Sequence, residues 1–388
     1  MTSLGTDRKL AGKMIQRQLK LRLTVSQERD LECWLWHLTG AYNWAIRKIE
    51  LDAQDNVYHS DFGIKSLVSF HGQKIGVPGD VLSETVKTAW MAWDRCFNHF
   101  SGRPKFKGKR NRLNSIPFRK DILLLDKSHA RLAVIGSLKF HKQDIPKGVI
   151  KCGRIIKRSS GWYLCLCIEA EPNKIPKTGN GKIGIDPGFS SLLTLSNGEK
   201  IEHPRELEAT ANRLAQAQRG KRKQLTARLH ERIANQRKDR NHKLSRRLVS
   251  QNKLIVFSAD NHKIIARRFG NSVASSGHYQ LRSMLSYKSL CGGRKYIEVN
   301  SKNSTKTCSA CGALSGPAGL TGLSVRLWVC SCGAEHDRDI NAAMNTLKAG
   351  AGIALKSAVK HVRNLTNRRI PSSPESEFSK SIMNKVIL

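Results

Sequence analysis

The chain has 388 residues, with 68 Lys and Arg against 30 Asp and Glu, for a formal charge of +38. That length predicts two or three domains, each able to bury its own core. The charge far exceeds what solubility needs, so the expected partner is a polyanion. No apolar run approaches the roughly 18 residues of a membrane span, and no membrane partner is expected. Met1 to Leu10 lacks the apolar core and small-residue cleavage site of a secretory signal, so a cytoplasmic location is expected. Ten cysteines in a reducing compartment are seldom a disulfide framework, which makes their spacing matter more than their number.

Ile15 to Leu23 alternates apolar and polar residues and predicts a half-buried strand. Ser26 is the expected N-cap of the helix that follows, where Leu31, Leu35 and Leu38 recur at helical spacing beside a core stripe of Trp34, Tyr42 and Trp44. The string GRPKFKGK over 102–109 is an exposed loop, whose Arg103, Lys105 and Lys107 can contact phosphates or simply carry solvated charge. Short strand-like runs follow at Arg131 to Val134, Ser137 to Phe140 and Trp162 to Ile168, and together they suggest a small β-barrel interrupted by a helical insert.

Pro172 to Gly181 concentrates Pro, Gly, Asn and Lys and marks a domain boundary. Beyond it, two β-rich runs and an Asn197-Gly198 turn into a third strand suggest an α/β sheet of ribonuclease H type. Between Arg205 and Arg247, fourteen Lys and Arg against four acids form a basic amphipathic helix pair, with Arg237, Lys238, Arg240 and Lys243 as candidate phosphate contacts. Leu254 to Phe257 and Tyr296 to Val299 read as buried strands on either side of a helix around Leu281 to Leu290. The Ser- and Pro-rich tail, 365–388, reads as disordered.

Two constellations carry chemistry. Cys308-x2-Cys311 and Cys330-x-Cys332, eighteen residues apart and each flanked by glycine, are paired knuckles suited to a closed tetrahedral Zn²⁺ site within 305–335. Asp186 ends an apolar strand in the string GIDPG, and Asp339 opens an Ala-rich helix in DRDINAAMN. Metal-dependent phosphodiester cleavage needs several carboxylates converging on Mg²⁺, of which these are two. Asp339 could instead be only a helix N-cap.

Tyr42-Asn43, the 102–109 loop, GIDPG, the basic helix with Arg237, Asp239 and His242-Lys243, the knuckles, and DRDINAAMN resemble, in that order, the transposon-encoded TnpB family, which is related to the type V CRISPR effectors. The resemblance covers roughly 14–348. It implies a wedge β-barrel with a helical recognition insert over 14–172 and a RuvC-like nuclease domain over 181–348. It also implies a guide RNA, a target double-stranded DNA with a short adjacent motif, and a bacterial, nucleoid-associated setting, with base pairing supplying specificity. The oligomeric state is left open.

One departure bears on chemistry. The family's strand matching Leu254 to Phe257 ends in a catalytic Glu, where this chain has Ser258. Some relatives carry the acid seven residues before the first knuckle cysteine, where this chain has Ser301. Asp260 and Glu298 are the nearby substitutes. Three functions follow: an RNA-guided DNA binder without cleavage, an active Mg²⁺-dependent endonuclease with a displaced third acid, and a guide-free transposon accessory protein.

Overall fold

The computed structural model describes residues 14–356, apart from 120–121, 133, 172–174, 189–190, 204–205, 260–275, 301, 318–321 and 323. Asp260, Ser301 and the tail over 365–388 therefore lie outside the described residues. The chain divides into two compact units, with the boundary between Pro172 and Asn173. No helix among the described residues is long and apolar enough to cross a membrane.

In the first unit, β1 (Met14–Arg22) leads into α1 (Val25–Gln54). Thr24, and not Ser26, is the N-cap. Its hydroxyl accepts from the Gln27 amide at 3.2 Å, while the Gln27 side chain accepts from the Thr24 amide at 3.1 Å. That reciprocal box needs an acceptor side chain three residues on, which Thr24 finds in Gln27 and Ser26 would not find in Arg29. The helical insert continues through α2 (Asp61–Ser66), α3 (His71–Ile75) and α4 (Gly79–Phe97). Trp34 and Tyr42 are buried as a core stripe requires, whereas Trp44 is 40% exposed. The Trp93 indole donates to the Ile46 carbonyl at 3.0 Å, which fastens α4 to α1 with a group that would be costly to bury unpaired.

The chain returns through β2 (Ser115–Phe118), β3 (Ile122–Leu124), β4 (His129–Leu132), β5 (Gly136–Phe140), β6 (Val149–Arg158) and β7 (Gly161–Glu169). With β1 these form one antiparallel sheet in the order β2-β6-β7-β1-β5-β4-β3. The expected barrel is therefore corrected to an open seven-stranded sheet. The edge strands that would have to close it are only four and three residues long. The sheet curls without closing: a Cβ at Gly153 of β6 would lie 2.4 Å from Ile122 Cδ1 of β3, so the edge packs over a glycine with no ladder between them.

The second unit contains β8 (Gly181–Pro187), β9 (Leu193–Leu195), β10 (Lys200–Ile201), α5 (Glu206–Arg219), α6 (Lys223–Gln251), β11 (Asn252–Ser258), α7 (His278–Gly292), β12 (Lys295–Val299), β13 (Leu327–Val329), β14 (Glu335–Asp337) and α8 (Arg338–Lys356). The expected antiparallel trio β8, β9 and β10 joins the two later strands in one mixed α/β sheet, ordered β10-β9-β8-β11-β12, with β8, β11 and β12 parallel. A central strand buried on both faces splits its side chains between two cores. Ile183, Ile185, Ile255 and Phe257 pack with Leu244 and Leu248 of α6 and with Leu281 and Leu285 of α7. Leu254, Val256, Ile297 and Val299 face the other way and pack with Leu347 and Ala351 of α8.

Candidate functional site

The fit of α8 on the sheet sets the geometry of the carboxylates. A Cβ at Gly184 of β8 would lie 2.2 Å from the Ala343 carbonyl oxygen and 2.8 Å from the Leu347 amide nitrogen, so helix and strand meet main chain to main chain. Asp186 is two residues beyond Gly184 and shares its face of β8. Asp339 is one turn before Ala343 and shares its face of α8. Both acids therefore belong to the side of the sheet that carries α8.

Asp339 is not the helix cap. Asp337 Oδ1 accepts from the amides of Asp339 at 3.0 Å and Ile340 at 3.1 Å, and Asp337 Oδ2 pairs with Lys200 at 2.6 Å. Burial opposes that charge, yet Lys200 and the helix amides outweigh it and hold the Asp337 carboxyl below its ordinary value. With the cap supplied by Asp337, Asp339 is left to face Arg326, whose Nη1 lies 3.4 and 3.2 Å from its two oxygens.

Ser258 occupies the same face. Val256 pairs with Gly184 and Phe257 with Ile185, so the next rung of this parallel register sets Ser258 beside Asp186, one strand spacing or about 4.8 Å away. Ser258 is fully buried, and its hydroxyl has no hydrogen-bond partner among the described residues. A buried orphan hydroxyl is uncommon in a folded protein.

Glu298 is on the opposite face. Along β12 it alternates with Ile297 and Val299, which belong to the α8 side. Its carboxylate receives Arg282 Nε at 2.7 Å and Nη2 at 2.5 Å, and the Tyr296 hydroxyl at 3.0 Å. The structure thus groups Asp186 and Asp339 with Ser258 and separates them from Glu298, because period-two alternation sends residue 298 to the wrong side.

The four knuckle cysteines converge. Their sulfurs all lie within 4.8 Å of one another, with Cys308 and Cys332 at 3.8 Å and Cys311 and Cys330 at 3.6 Å. A tetrahedron with Zn–S arms of about 2.3 Å has edges of about 3.8 Å, so the donor set fits a tetrahedral thiolate-bound metal. Gly312 at φ +85° and Gly333 at φ +83° turn the two loops back in a conformation that suits glycine. The Cys332 amide and the Ser315 hydroxyl draw the Cys330 thiol down to about 5. Although the Ala334 amide favours its thiolate, Cys332 is pushed up to about 12 by the crowding of Cys311 and Cys330. Four clustered thiolates need a cation. His336 places Nε2 3.0 Å from Cys308 Sγ and packs its ring against Trp328 at 4.6 Å.

The knuckle is stitched to α8 by residues that the sequence analysis did not single out. Asn341 Oδ1 accepts from the Ser309 amide at 2.8 Å, and its Nδ2 donates to the Thr307 carbonyl at 2.8 Å. Asn345 donates to the same carbonyl at 2.6 Å, and Lys348 donates to the Ser309 carbonyl. Their spacing of four and then three was visible in the sequence as one helix stripe, but polar residues on an Ala-rich helix read as solvated.

The candidate basic contacts divide. In the first unit, Asn43 clamps the 102–109 loop through both its amide atoms, at 2.7 and 2.8 Å from the Lys107 main chain, and Lys107 Nζ lies 5.8 Å from the Tyr42 ring centre. Arg103 is paired with the buried Glu50, whereas Lys105 is exposed. In the second unit, Lys238 and Lys243 are exposed, with Lys243 paired to Asp239 at 2.7 Å. Arg237 and Arg240 are half-buried, and Arg240 donates to the Ser276 carbonyl at 3.0 Å. Lys243, Arg246 and Arg247 line an open groove of about 340 Å³ with Thr178 and Ser250.

Residues 165–259 match the family OrfB_IS605, described as a probable transposase, and residues 278–346 match the Cas12f1-like TNB domain. A putative RNA-guided DNA endonuclease of Streptomyces pristinaespiralis is 37% identical over 208 residues, which are 50% of this chain and 51% of that protein. The chain thus spans about half the length of this relative. The putative RNA-guided DNA endonuclease InsQ of Escherichia coli K12 is 24% identical over 307 residues, 71% of this chain and 75% of that protein. The protein in the cryo-EM structure of the Cas12f1-sgRNA-target DNA complex shares the fold, with a TM-score of 0.54 at 15% identity over 84% of this chain and 83% of that one.

Proposed function

We infer that this chain, which belongs to the TnpB family, is an RNA-guided DNA-binding protein whose RuvC-like domain has lost the carboxylate set needed for cleavage. The observation that carries this reading is Ser258, a buried hydroxyl without a partner, on the rung beside Asp186 and on the face that α8 covers. A glutamate there would complete three acids with Asp186 and Asp339. Serine offers neither the charge nor the bidentate reach that Mg²⁺ demands. The described residues do not make a full ligand set, so no catalytic step is assigned to this site. Asp339 already has a cation in Arg326.

The remaining parts suit binding. Cys308, Cys311, Cys330 and Cys332 would hold one structural Zn²⁺, which supplies folding energy to a short loop-rich segment. Lys105 in the first unit, and Lys238, Lys243, Arg246 and Arg247 in the second, would follow the phosphates of a guide RNA and its target DNA beside a short adjacent motif. The RuvC-like, ribonuclease H type of fold is supported by the strand order of the second unit.

The test is to purify the chain from cells, sequence the RNA that accompanies it, and assay the complex on matched DNA in Mg²⁺. A defined structured RNA, guided binding and no cleavage are expected. Asp186→Ala should leave binding unchanged, and Ser258→Glu should restore cutting. Robust cleavage by the unmodified chain that is lost in Asp186→Ala would overturn the binder, and bulk RNA in place of a defined species would return the chain to the guide-free class.

A further inference from the structure

The first unit carries a thiol pair outside the sites described above. Cys152 of β6 and Cys167 of β7 stand directly opposite each other, at the rung where the β6 register shifts after Ile150. Directly opposed antiparallel residues have Cα atoms about 4.5–5.5 Å apart. That range lies inside the roughly 4.4–6.8 Å a disulfide accepts, so the pairing of the two strands favours a bridge here. Cys152 is exposed and Cys167 is half-buried.

We propose that Cys152 and Cys167 form a reversible disulfide across β6 and β7 when the chain meets a peroxide. The exposed Cys152 sulfur attacks the peroxide O–O bond, becomes a sulfenic acid, and releases one water from hydrogen peroxide. The Cys167 sulfur then displaces the sulfenic hydroxyl, so that the S–S bond forms and the hydroxyl leaves with the Cys167 proton as a second water. Two thiols are oxidised and one peroxide is reduced. Burial, and then the charge and hydrogen bond of Cys152, push the Cys167 thiol up, so closure depends on its deprotonation and quickens as pH rises above neutral. Cellular dithiols reverse the bridge. Cys165 shares the Cys167 face two residues earlier but stands opposite Arg154, which takes it off the rung.

The experiment treats the full zinc-loaded chain with stoichiometric hydrogen peroxide, quenches with N-ethylmaleimide, and maps the peptides without reductant. A Cys152–Cys167 linked peptide should dominate, disappear with dithiothreitol, be absent in Cys152→Ser and Cys167→Ser, and persist in Cys165→Ser. The bridged chain should also show an upward shift in the unfolding temperature of this unit, because the cross-link restricts its unfolded state. Recovery of both cysteines as alkylated thiols, of Cys152 as an unlinked sulfinic acid, or of Cys152 joined to Cys165 would overturn the proposal.

Discussion

The two constellations fastened to α8 differ in their donor sets. The knuckle retains four sulfurs in tetrahedral spacing, a pair of positive-φ glycines and a polar stitch to the helix. The carboxylate face, on the same helix and on β8 and β11, carries two acids and a serine whose hydroxyl has no partner among the described residues. A metal that builds the fold and a metal that performs the reaction are under different constraints. Loss of a thiolate unfolds a segment, whereas loss of one carboxylate leaves the backbone undisturbed and removes only chemistry.

The strongest way to break that contrast is Cys311→Ser. Structural zinc supplies on the order of 10 kcal/mol to small thiolate domains, so the variant should lose its metal and the protection of the knuckle amides, as read by elemental analysis and hydrogen exchange. Full zinc content and unchanged exchange would mean that the four sulfurs are not the ligand set. A smaller effect is expected at the stitch. Asn341→Ala leaves the Ser309 amide without its side-chain acceptor, while the Thr307 carbonyl keeps Asn345, and should cost about 1–3 kcal/mol in denaturant unfolding, with zinc retained.

The smallest effect sharpens the other side of the contrast. Asp337→Ala removes the α8 cap and should cost about 1 kcal/mol. Because the folded carboxyl sits below its ordinary 3.8, its stabilisation is fully present above that value and disappears as pH falls through the folded one. The gap between the two proteins in urea should therefore be constant from pH 5 upward and close under more acid conditions. A gap that does not narrow at all as the pH falls below 3.8 would show that the cap acts through shape and not charge.

The sequence made some parts of this structure legible and hid others for physical reasons. The long helices, the basic helix pair, the thiol spacing and most of the expected strands depend on local periodicity or motif and emerged where expected, whereas the run Arg131 to Val134 became the strand His129–Leu132 with Val134 in a turn at φ +72°. Strand pairing does not: β2 and β3 are too short to announce whether a sheet closes, and the expected barrel became an open curl. The N-cap moved from Ser26 to Thr24 because a capping box depends on the residue three places later. At the candidate site, nothing in the local pattern told Ser258 from Glu298 as a neighbour of Asp186. Only the pairing of β8, β11 and β12 separates them onto two faces. Asn341 and Asn345 escaped notice because nothing in a helix pattern says which polar side chains meet a neighbouring loop.

Gly184 and Gly350 together act as a lock on the whole arrangement. At Gly350 a Cβ would lie 2.4 Å from Val256 of β11, and at Gly184 one would lie 2.2 Å from the Ala343 carbonyl of α8, so the helix is seated by the absence of two methyl groups, one on each partner. A helix seated in this way meets the main chain of β8 at Gly184 and the Val256 side chain of β11 at Gly350 if it rolls or slides. The spacing of residues 186, 258 and 339 is therefore inherited from contacts that involve no acid at all. A carboxylate introduced by Ser258→Glu would therefore enter a rung whose neighbours are already fixed by that seating.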